Sequence, residues 1–226
     1  MKTSFYRGLI MSFTMFSMCL SAFSQDFSNV KGISSSNRDV RHVAYVSGGG
    51  SNIYSHVYAS YGSAAATKIG GEWNMGYDCV FKDFIGFGLL YNGYVSTDDT
   101  YLPLGSDRPS KVDLSFYVHT LAPQFVMDFA RDSSRWAFTM RVGMGVSIIV
   151  DKAKNEGKLL ARERRLGFAV TTMIGAEYRI TRNISVMASL DNIMSHLGRS
   201  KRSKDYDCSN EGIARVGIDL GIKYRF

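Results

Sequence analysis

The sequence predicts an all-β fold in which eight antiparallel strands close into an up-and-down barrel. Most of the 226-residue chain consists of segments that alternate apolar and polar side chains, the period of a strand with two unlike faces. The composition agrees, since 13 Tyr and 14 Phe favour strands and only 3 Pro interrupt them. The connections between the segments are alternately short and long, which is typical of strands that run up and down.

Seven of the eight strands have a readable pattern, and the first does not. Strand 1 lies between Arg41 and Tyr61, where three glycines at 48–50 leave its register undefined. The other strands are predicted at residues 67–81, 85–95, 111–129, 136–150, 166–180, 184–190 and 214–226. Short turns are predicted near residues 82, 132 and 182, and long polar loops at 96–110, 151–165 and 192–211.

Strand 4 has an irregular pattern. Its apolar residues occupy even positions as far as Val118 but odd positions from Phe125 onward. Proline lacks the N–H group that a sheet uses and is expected at an edge or a bulge, and a closed barrel has no edge. We therefore predict a β-bulge at Ala122 and Pro123, where the phase changes.

The first 39 residues are predicted to lie outside the barrel. Residues 1–24 have a basic start, an apolar run and a small-residue cleavage pattern, which predicts a signal peptide cleaved after Ser24. The segment holds two basic and no acidic residues, so its removal lowers the net charge from +7 to +5. Residues 25–39 form a polar tail.

Cys79 and Cys208 are predicted about a barrel length apart, too far for a disulfide.

The last strand connects this pattern to a membrane. Beyond residue 24 no run approaches the ~18 apolar residues of a transmembrane helix, so this chain can enter a membrane only as a closed barrel. In residues 214–226, apolar side chains alternate with charged residues or glycine as far as Tyr224 and the final Phe226. This ending resembles the terminal signature of Gram-negative outer-membrane β-barrels. With its signal peptide and eight strands, the chain resembles the small barrels of the OmpA/OmpX type.

The resemblance implies a transmembrane β-barrel at residues 40–226 in the outer membrane, with short periplasmic turns, long outer loops and a periplasmic tail at 25–39. It implies that the barrel assembly machinery recognises Tyr224 and Phe226. The expected partners are outer-membrane lipid and lipopolysaccharide, and a monomer is expected. Because the family performs different jobs on one scaffold, the fold specifies no activity. We predict a non-enzymatic protein, without a cofactor, that serves envelope integrity or surface interaction. The export signal disfavours nucleic acid as a partner.

The inward phase of the predicted strands carries six residues of each charge sign. These are Lys68, Arg141, Arg179, Arg215, Lys223 and Arg225, with Glu72, Asp78, Asp113, Glu177, Asp191 and Asp219. An eight-stranded barrel is just wide enough for side chains to fill, and buried charges must pair or cost several kcal/mol each. The balance predicts a packed interior held by salt bridges, with a narrow channel along the charges as the alternative.

Catalysis is the other alternative, because lipid A deacylases and palmitoyltransferases share the eight-stranded barrel. The resemblance implies a His, a Ser and an acidic residue near the outer leaflet for such enzymes. The candidates are His196 with Ser195, Ser200 and Asp191, and secondarily His56 and His119. The sequence around His196 does not match the deacylase motif. We interpret His196 as a loop residue and His119 as a lumen residue.

The predicted loop 151–165 is basic. Its cations are Lys152, Lys154, Lys158, Arg162, Arg164 and Arg165. Near the outer leaflet such residues are candidates for contact with lipid A phosphates, since the guanidinium fork matches phosphate geometry. An ordinary solvated loop is the alternative. No His/Cys cluster has metal-ligand spacing, so no metal site is predicted.

Overall fold

The computed structural model describes residues 40–55, 69–81, 84–102, 110–129, 134–197 and 212–226. These residues form eight strands: β1 (Val40–Ile53), β2 (Ile69–Phe81), β3 (Ile85–Leu102), β4 (Ser110–Asp128), β5 (Trp136–Asn155), β6 (Lys158–Arg179), β7 (Ile184–Leu197) and β8 (Gly212–Arg225). They contain no helix that is long and apolar enough to cross a membrane. The predicted signal peptide and polar tail lie outside the described residues and stay predictions.

The strands form one closed antiparallel barrel in chain order. Each strand pairs with its neighbours in sequence, and β1 also pairs with β8, from Val43 opposite Arg225 to Ile53 opposite Arg215. Every strand therefore has a hydrogen-bonding partner on both sides, as lipid requires of a spanning sheet. The predicted eight-stranded, up-and-down, all-β architecture is confirmed. Below, the end that holds Val40 and Phe226 is called the terminal end, and the opposite end is called the hairpin end.

Strand β1 is regular through its three glycines. Its pairing with β2 and β8 continues past residues 48–50 without a register shift, and Gly49 lies opposite both Glu72 and Asp219. A Cβ on Gly49 would lie 2.6 Å from Oδ1 of Asp219. The missing side chain therefore leaves room that a neighbouring carboxylate occupies.

The barrel is apolar outside and charged inside. On β8 the outward Ile218, Leu220 and Ile222 are more than half exposed, whereas the inward Asp219 and Lys223 are buried. A soluble protein has the opposite arrangement, and an apolar exterior of this extent is stabilised by lipid. Aromatic side chains ring the terminal end: Phe81, Phe87, Phe125, Trp136, Tyr178, Tyr224 and Phe226.

Four strands are much longer than a bilayer requires. β3 to β6 have 18 to 22 residues, whereas a spanning strand needs about 9–11. The prediction of a loop at 151–165 was wrong. These residues continue β5 and β6 to a two-residue turn at Glu156 and Gly157. Their φ angles of 47° and 79° are typical of a type I′ turn, whose twist matches a hairpin. β3 likewise runs to Leu102, well into the predicted loop at 96–110.

The predicted bulge at Ala122 and Pro123 was also wrong. β4 pairs with β3 in one register along its length, and its pairing with β5 resumes at Gln124 in the register it had at Leu121. The apolar phase changes because the surroundings of β4 change. Near the hairpin end its inward residues are apolar and its outward residues polar, and nearer the terminal end the outward residues are apolar. The strand leaves the lipid between these two parts.

Gly221→Ala is expected to hinder closure of the barrel. A Cβ on Gly221 would lie 2.5 Å from Cβ of Ser47 and closer still to the carbonyl oxygen of Val46, both on β1. Gly175→Ala is the matched control, because its Cβ would lie 3.5 Å from the nearest atom, the carbonyl oxygen of Ala188. We expect Gly221→Ala to lose about 1–3 kcal/mol of unfolding free energy through overpacking. Heat-modifiable gel mobility and urea unfolding measure this. Equal folded fractions for the two variants would contradict the role of Gly221.

Candidate functional site: the charged interior and the basic hairpin face

The interior near the terminal end is a network of ion pairs. The Lys223 ammonium lies 3.0 Å from Oδ2 of Asp128 and 2.6 Å from Oε1 of Glu177, and it also donates to Thr139 at 3.1 Å. Arg225 pairs with the other oxygen of Glu177. Lys223, Asp128 and Glu177 are almost fully buried. Each desolvated charge therefore has an opposite charge in direct contact, which the packed interior requires.

The next layer towards the hairpin end holds a second pair. Arg141 is fully buried and donates from Nε and Nη2 to Oδ2 of Asp78, at 3.0 and 2.9 Å. Its guanidinium carbon lies 4.1 Å from the centroid of the Tyr45 ring, a cation–π contact. The Tyr45 hydroxyl donates to Gln124 at 3.4 Å, so polar side chains continue across the lumen.

A carboxylate cluster occupies the middle of the barrel. Glu72, Asp191 and Asp219 each offer an oxygen, and these oxygens all lie within 4.8 Å of one another. Asn74 donates to Oδ2 of Asp191 at 2.8 Å and to Oδ2 of Asp219 at 2.5 Å. Arg215 donates to Oε2 of Glu72 at 3.0 Å. Three acidic groups thus meet one cation. The sequence predicted no metal site here because its three acids are far apart in the chain and only barrel closure assembles them.

Towards the hairpin end the lumen holds two apolar clusters, together with the buried Asp151 and Arg165. Ile53, Tyr94, Phe116, Val118, Ile149 and Ile213 form one buried cluster, and Val112, Leu114, Ala153 and Ala161 form another. These side chains come from strands around the barrel and meet inside it. They cover the charged layers on the hairpin side.

The structure places most of the predicted interior charges in the lumen, with three differences. Asp113 is exposed on the outer face of β4, because the apolar residues assigned to lipid there point inward. Arg179 is only half-buried, near the terminal end, and Lys68 lies outside the described residues. Because the prediction reversed the inward phase of β4, it also missed Asp128 as an interior residue. Asp128 is fully buried and pairs with Lys223 and Arg41.

The candidate catalytic residues are not brought together. Ser195 points inward and bonds the Ser147 hydroxyl at 2.9 Å, whereas the adjacent His196 is exposed on the outer face. Asp191 is four residues from Ser195, roughly 13 Å along a strand. A nucleophile, base and acid need mutual hydrogen-bond contact, and these three cannot make it. Ser200 and His56 lie outside the described residues.

His119 is not a lumen residue. It lies on the outer face of β4, where its Nδ1 is 2.8 Å from the Tyr91 hydroxyl and its ring meets the edge of Trp73. Aromatic rings with a polar edge are typical of a membrane–water boundary. The outward polarity of β4 changes at this height, so His119 and its neighbours mark the lipid boundary on the hairpin side.

The basic residues of 151–165 form a face of the β5–β6 hairpin. Lys152 and Arg162 are register partners and both point outward, with Arg164 next to them towards the lipid band. We call Lys152, Arg162 and Arg164 the basic hairpin face. Lys154 and Lys158 are also exposed. Arg165 differs from the prediction, because it is buried inside the barrel.

Acidic residues accompany the cations on neighbouring strands. Asp113 is the register partner of Lys154. The Lys111 ammonium lies 2.7 Å from Oδ2 of Asp99, and this hydrogen bond holds the pKa of the Asp99 carboxyl below its usual value. Lys111 and Lys154 therefore face acids, whereas Lys152 faces another cation. The unbalanced charge is concentrated on the basic hairpin face.

No protein-family model matches the sequence, and no curated protein is similar to it. Among solved structures, Ail, the attachment invasion locus protein of Yersinia pestis, in complex with the heparin analogue sucrose octasulfate, aligns with a TM-score of 0.50 at 14% identity, covering 84% of this chain and 100% of that chain. This is the fold of the small outer-membrane barrels. Neisserial surface protein A aligns with a TM-score of 0.48 at 14% identity, over 84% and 98% of the chains. The N-terminal β-barrel domain of Pseudomonas aeruginosa OprF gives 0.42 at 12%, over 84% and 98%. The predicted fold resemblance is confirmed, and the apolar exterior fits the chain to the outer membrane.

Arg141→Met is expected to lower the free energy of unfolding by about 3–5 kcal/mol, because it leaves Asp78 buried without its cation. Arg141→Met combined with Asp78→Leu should recover most of this loss, since both charges are then removed. Asp113→Asn, at an exposed carboxylate, is the control and should change stability by about 0.5 kcal/mol or less. Urea unfolding in detergent micelles gives all three values. A double variant as unstable as the single one would contradict the importance of the pair.

Proposed function

We propose that the protein is a non-enzymatic outer-membrane barrel that binds lipopolysaccharide phosphates through its basic hairpin face and so serves envelope integrity. One observation carries the proposal: Lys152 and Arg162 are register partners on the same outward face. Like charges directly opposite one another on a sheet destabilise it, and an anion between them removes that cost. Two Arg side chains supply the planar forks that suit phosphate oxygens.

The position of the basic hairpin face supports a lipid headgroup as its ligand. Leu166 and Phe168 follow Arg164 along the same face of β6 and are more than half exposed. The cations therefore lie directly above the apolar band, with the hairpin end taken as the outer side that the resemblance implies. Lipid A carries its phosphates at this level, where the acyl chains end.

The interior supports a protein that does not act as a channel. Apolar residues of β1, β3, β4, β5 and β8 fill the lumen on the hairpin side, and ion pairs fill it on the terminal side. Buried side chains therefore pack the lumen at both levels, as expected of a barrel of eight strands.

Removing the like-charged pair should weaken lipid A binding. Native mass spectrometry in detergent counts lipid A molecules bound per barrel, and we expect Lys152→Gln/Arg162→Gln to bind bisphosphorylated lipid A at least ~10-fold more weakly, or about 1.4 kcal/mol. The matched control is Arg135→Gln/Arg182→Gln, which removes two exposed cations at the terminal end. Dephosphorylated lipid A should bind all three proteins equally weakly.

Sucrose octasulfate provides a soluble polyanion for comparison, chosen because the Ail structure contains it. We expect it to compete with lipid A for the basic hairpin face. Binding of the sulfate compound without any phosphate-dependent binding of lipid A would favour surface interaction with a soluble glycan and contradict the proposed role. An equal loss of binding in the control variant would mean that net charge alone attracts the lipid.

Lipid A from cells with and without the gene should have the same acyl chains. Ser195 and His196 point to opposite faces of β7, so they cannot form the pair that acyl transfer needs. Mass spectrometry of extracted lipid A is the measurement. A gene-dependent change of one acyl chain would contradict the non-enzymatic proposal. Ser195→Ala would then test whether Ser195 is needed for that change.

A further inference from the structure

The carboxylate cluster of Glu72, Asp191 and Asp219 has a charge that its neighbours do not balance. All three residues are at least 96% buried. Arg215 is the cation that contacts the cluster, and Asn74 contributes hydrogen bonds but no charge. Arg141, the next guanidinium in the lumen, donates to Asp78 instead. With all three carboxylates ionised, two negative charges remain in a desolvated site, at a cost of several kcal/mol each unless a counter-ion or protons neutralise them.

Each carboxylate of the cluster uses one oxygen and leaves the other without a partner. The oxygens Oε2 of Glu72, Oδ2 of Asp191 and Oδ2 of Asp219 accept hydrogen bonds from Arg215 or Asn74. The oxygens Oε1 of Glu72, Oδ1 of Asp191 and Oδ1 of Asp219 are buried and accept none. Buried polar atoms in native proteins are nearly always satisfied, so three such oxygens on neighbouring side chains indicate a missing ligand.

Two glycines let these acids converge. Gly49 lies between Glu72 and Asp219 in the sheet, and Gly217 lies opposite Asp191. A Cβ on Gly49 would lie 2.6 Å from the unpartnered Oδ1 of Asp219, and a Cβ on Gly217 would overlap the unpartnered Oε1 of Glu72. Two of the three free oxygens thus occupy the space above the glycines, on the inner wall of the barrel.

We propose that this cluster binds one divalent cation that prefers oxygen ligands, of the size of Ca²⁺ or smaller. Ca²⁺ binds oxygens at about 2.3–2.6 Å, so ligands of one ion lie within about 5 Å of one another. One oxygen from each carboxylate meets this limit, since the three lie within 4.8 Å of one another. The charge also matches, because a divalent ion neutralises the two charges that Arg215 leaves.

Hydroxyl groups close to the cluster offer further oxygens. Ser189 is the register partner of Asp219, and Ser47 lies two residues before Gly49 on β1. Both hydroxyl oxygens are buried and without a hydrogen-bond partner. The ion stabilises the folded barrel by drawing β2, β7 and β8 together around β1, and it enters while the barrel folds, since the closed site is covered.

The test is to refold the protein in detergent with CaCl₂ or MnCl₂ present, remove free metal by desalting, and measure bound metal. We expect about one Ca²⁺ per chain by elemental analysis, and an electron paramagnetic resonance signal of immobilised Mn²⁺. Asp191→Asn/Asp219→Asn should reduce the metal at least ~10-fold. The matched control is Asp99→Asn/Asp113→Asn, which removes two exposed carboxylates and should retain the metal.

Stability gives a second readout. Urea unfolding of the wild-type barrel should shift to higher urea when it is refolded with Ca²⁺ instead of EDTA, whereas the unfolding of Asp191→Asn/Asp219→Asn should not change. Glu72→Gln provides a milder variant if the double one fails to fold. Metal content below ~0.1 per chain, or a stability that depends on pH but not on Ca²⁺, would mean that shared protons neutralise the acids and would overturn the proposal. Equal metal loss in the control variant would overturn it too.

Discussion

The need to pair desolvated charges governs the inside of this barrel. Lys223 is almost fully buried and is held by Asp128 and Glu177 on other strands, so the position of one side chain ties three strands together. Arg141 and Asp78 do the same one layer further in. Apolar side chains alone would not specify which strands face each other across the lumen. Each of these two sets of charges specifies its partners, because a buried charge left alone costs several kcal/mol.

The polarity of both faces inverts where the strands leave the lipid. Inside the bilayer the barrel has an apolar exterior and a charged lumen. Beyond it the exterior carries Lys152 and Arg162, and the lumen holds the apolar cluster of Phe116 and Ile149 beside one buried ion of each sign, Asp151 and Arg165. The part beyond the bilayer therefore resembles a soluble β-barrel built on the same strands. A single strand can pass through both environments because its side chains lie on two faces. The outward face is apolar where it contacts lipid and polar where it contacts water.

This inversion also separates what the sequence could predict from what it could not. β2 and β8 lie within the bilayer over most of their length, so their alternation gave the strand, its inward face and residues such as Glu72 and Lys223. β4 crosses the lipid boundary. An interpretation that assumes lipid along the whole strand predicts a bulge where the apolar phase changes and places Asp113 inside the barrel. The hairpin at Glu156 and Gly157 was predicted as a loop because strands outside lipid can be as rich in charged residues as loops are. The carboxylate cluster depends on side chains from three strands, which no local pattern reveals.

The distance along the chain between paired charges has a consequence for how the protein enters the membrane. Arg215 and Glu72 are 143 residues apart, Lys223 and Asp128 are 95, and Arg141 and Asp78 are 63. Each of these pairs joins two strands that are not neighbours in the barrel, so it forms only when the sheet curls around the lumen. Since a sheet with an open edge is unstable in lipid, the curling that pairs these charges and the closure that satisfies the backbone favour the same inserted state.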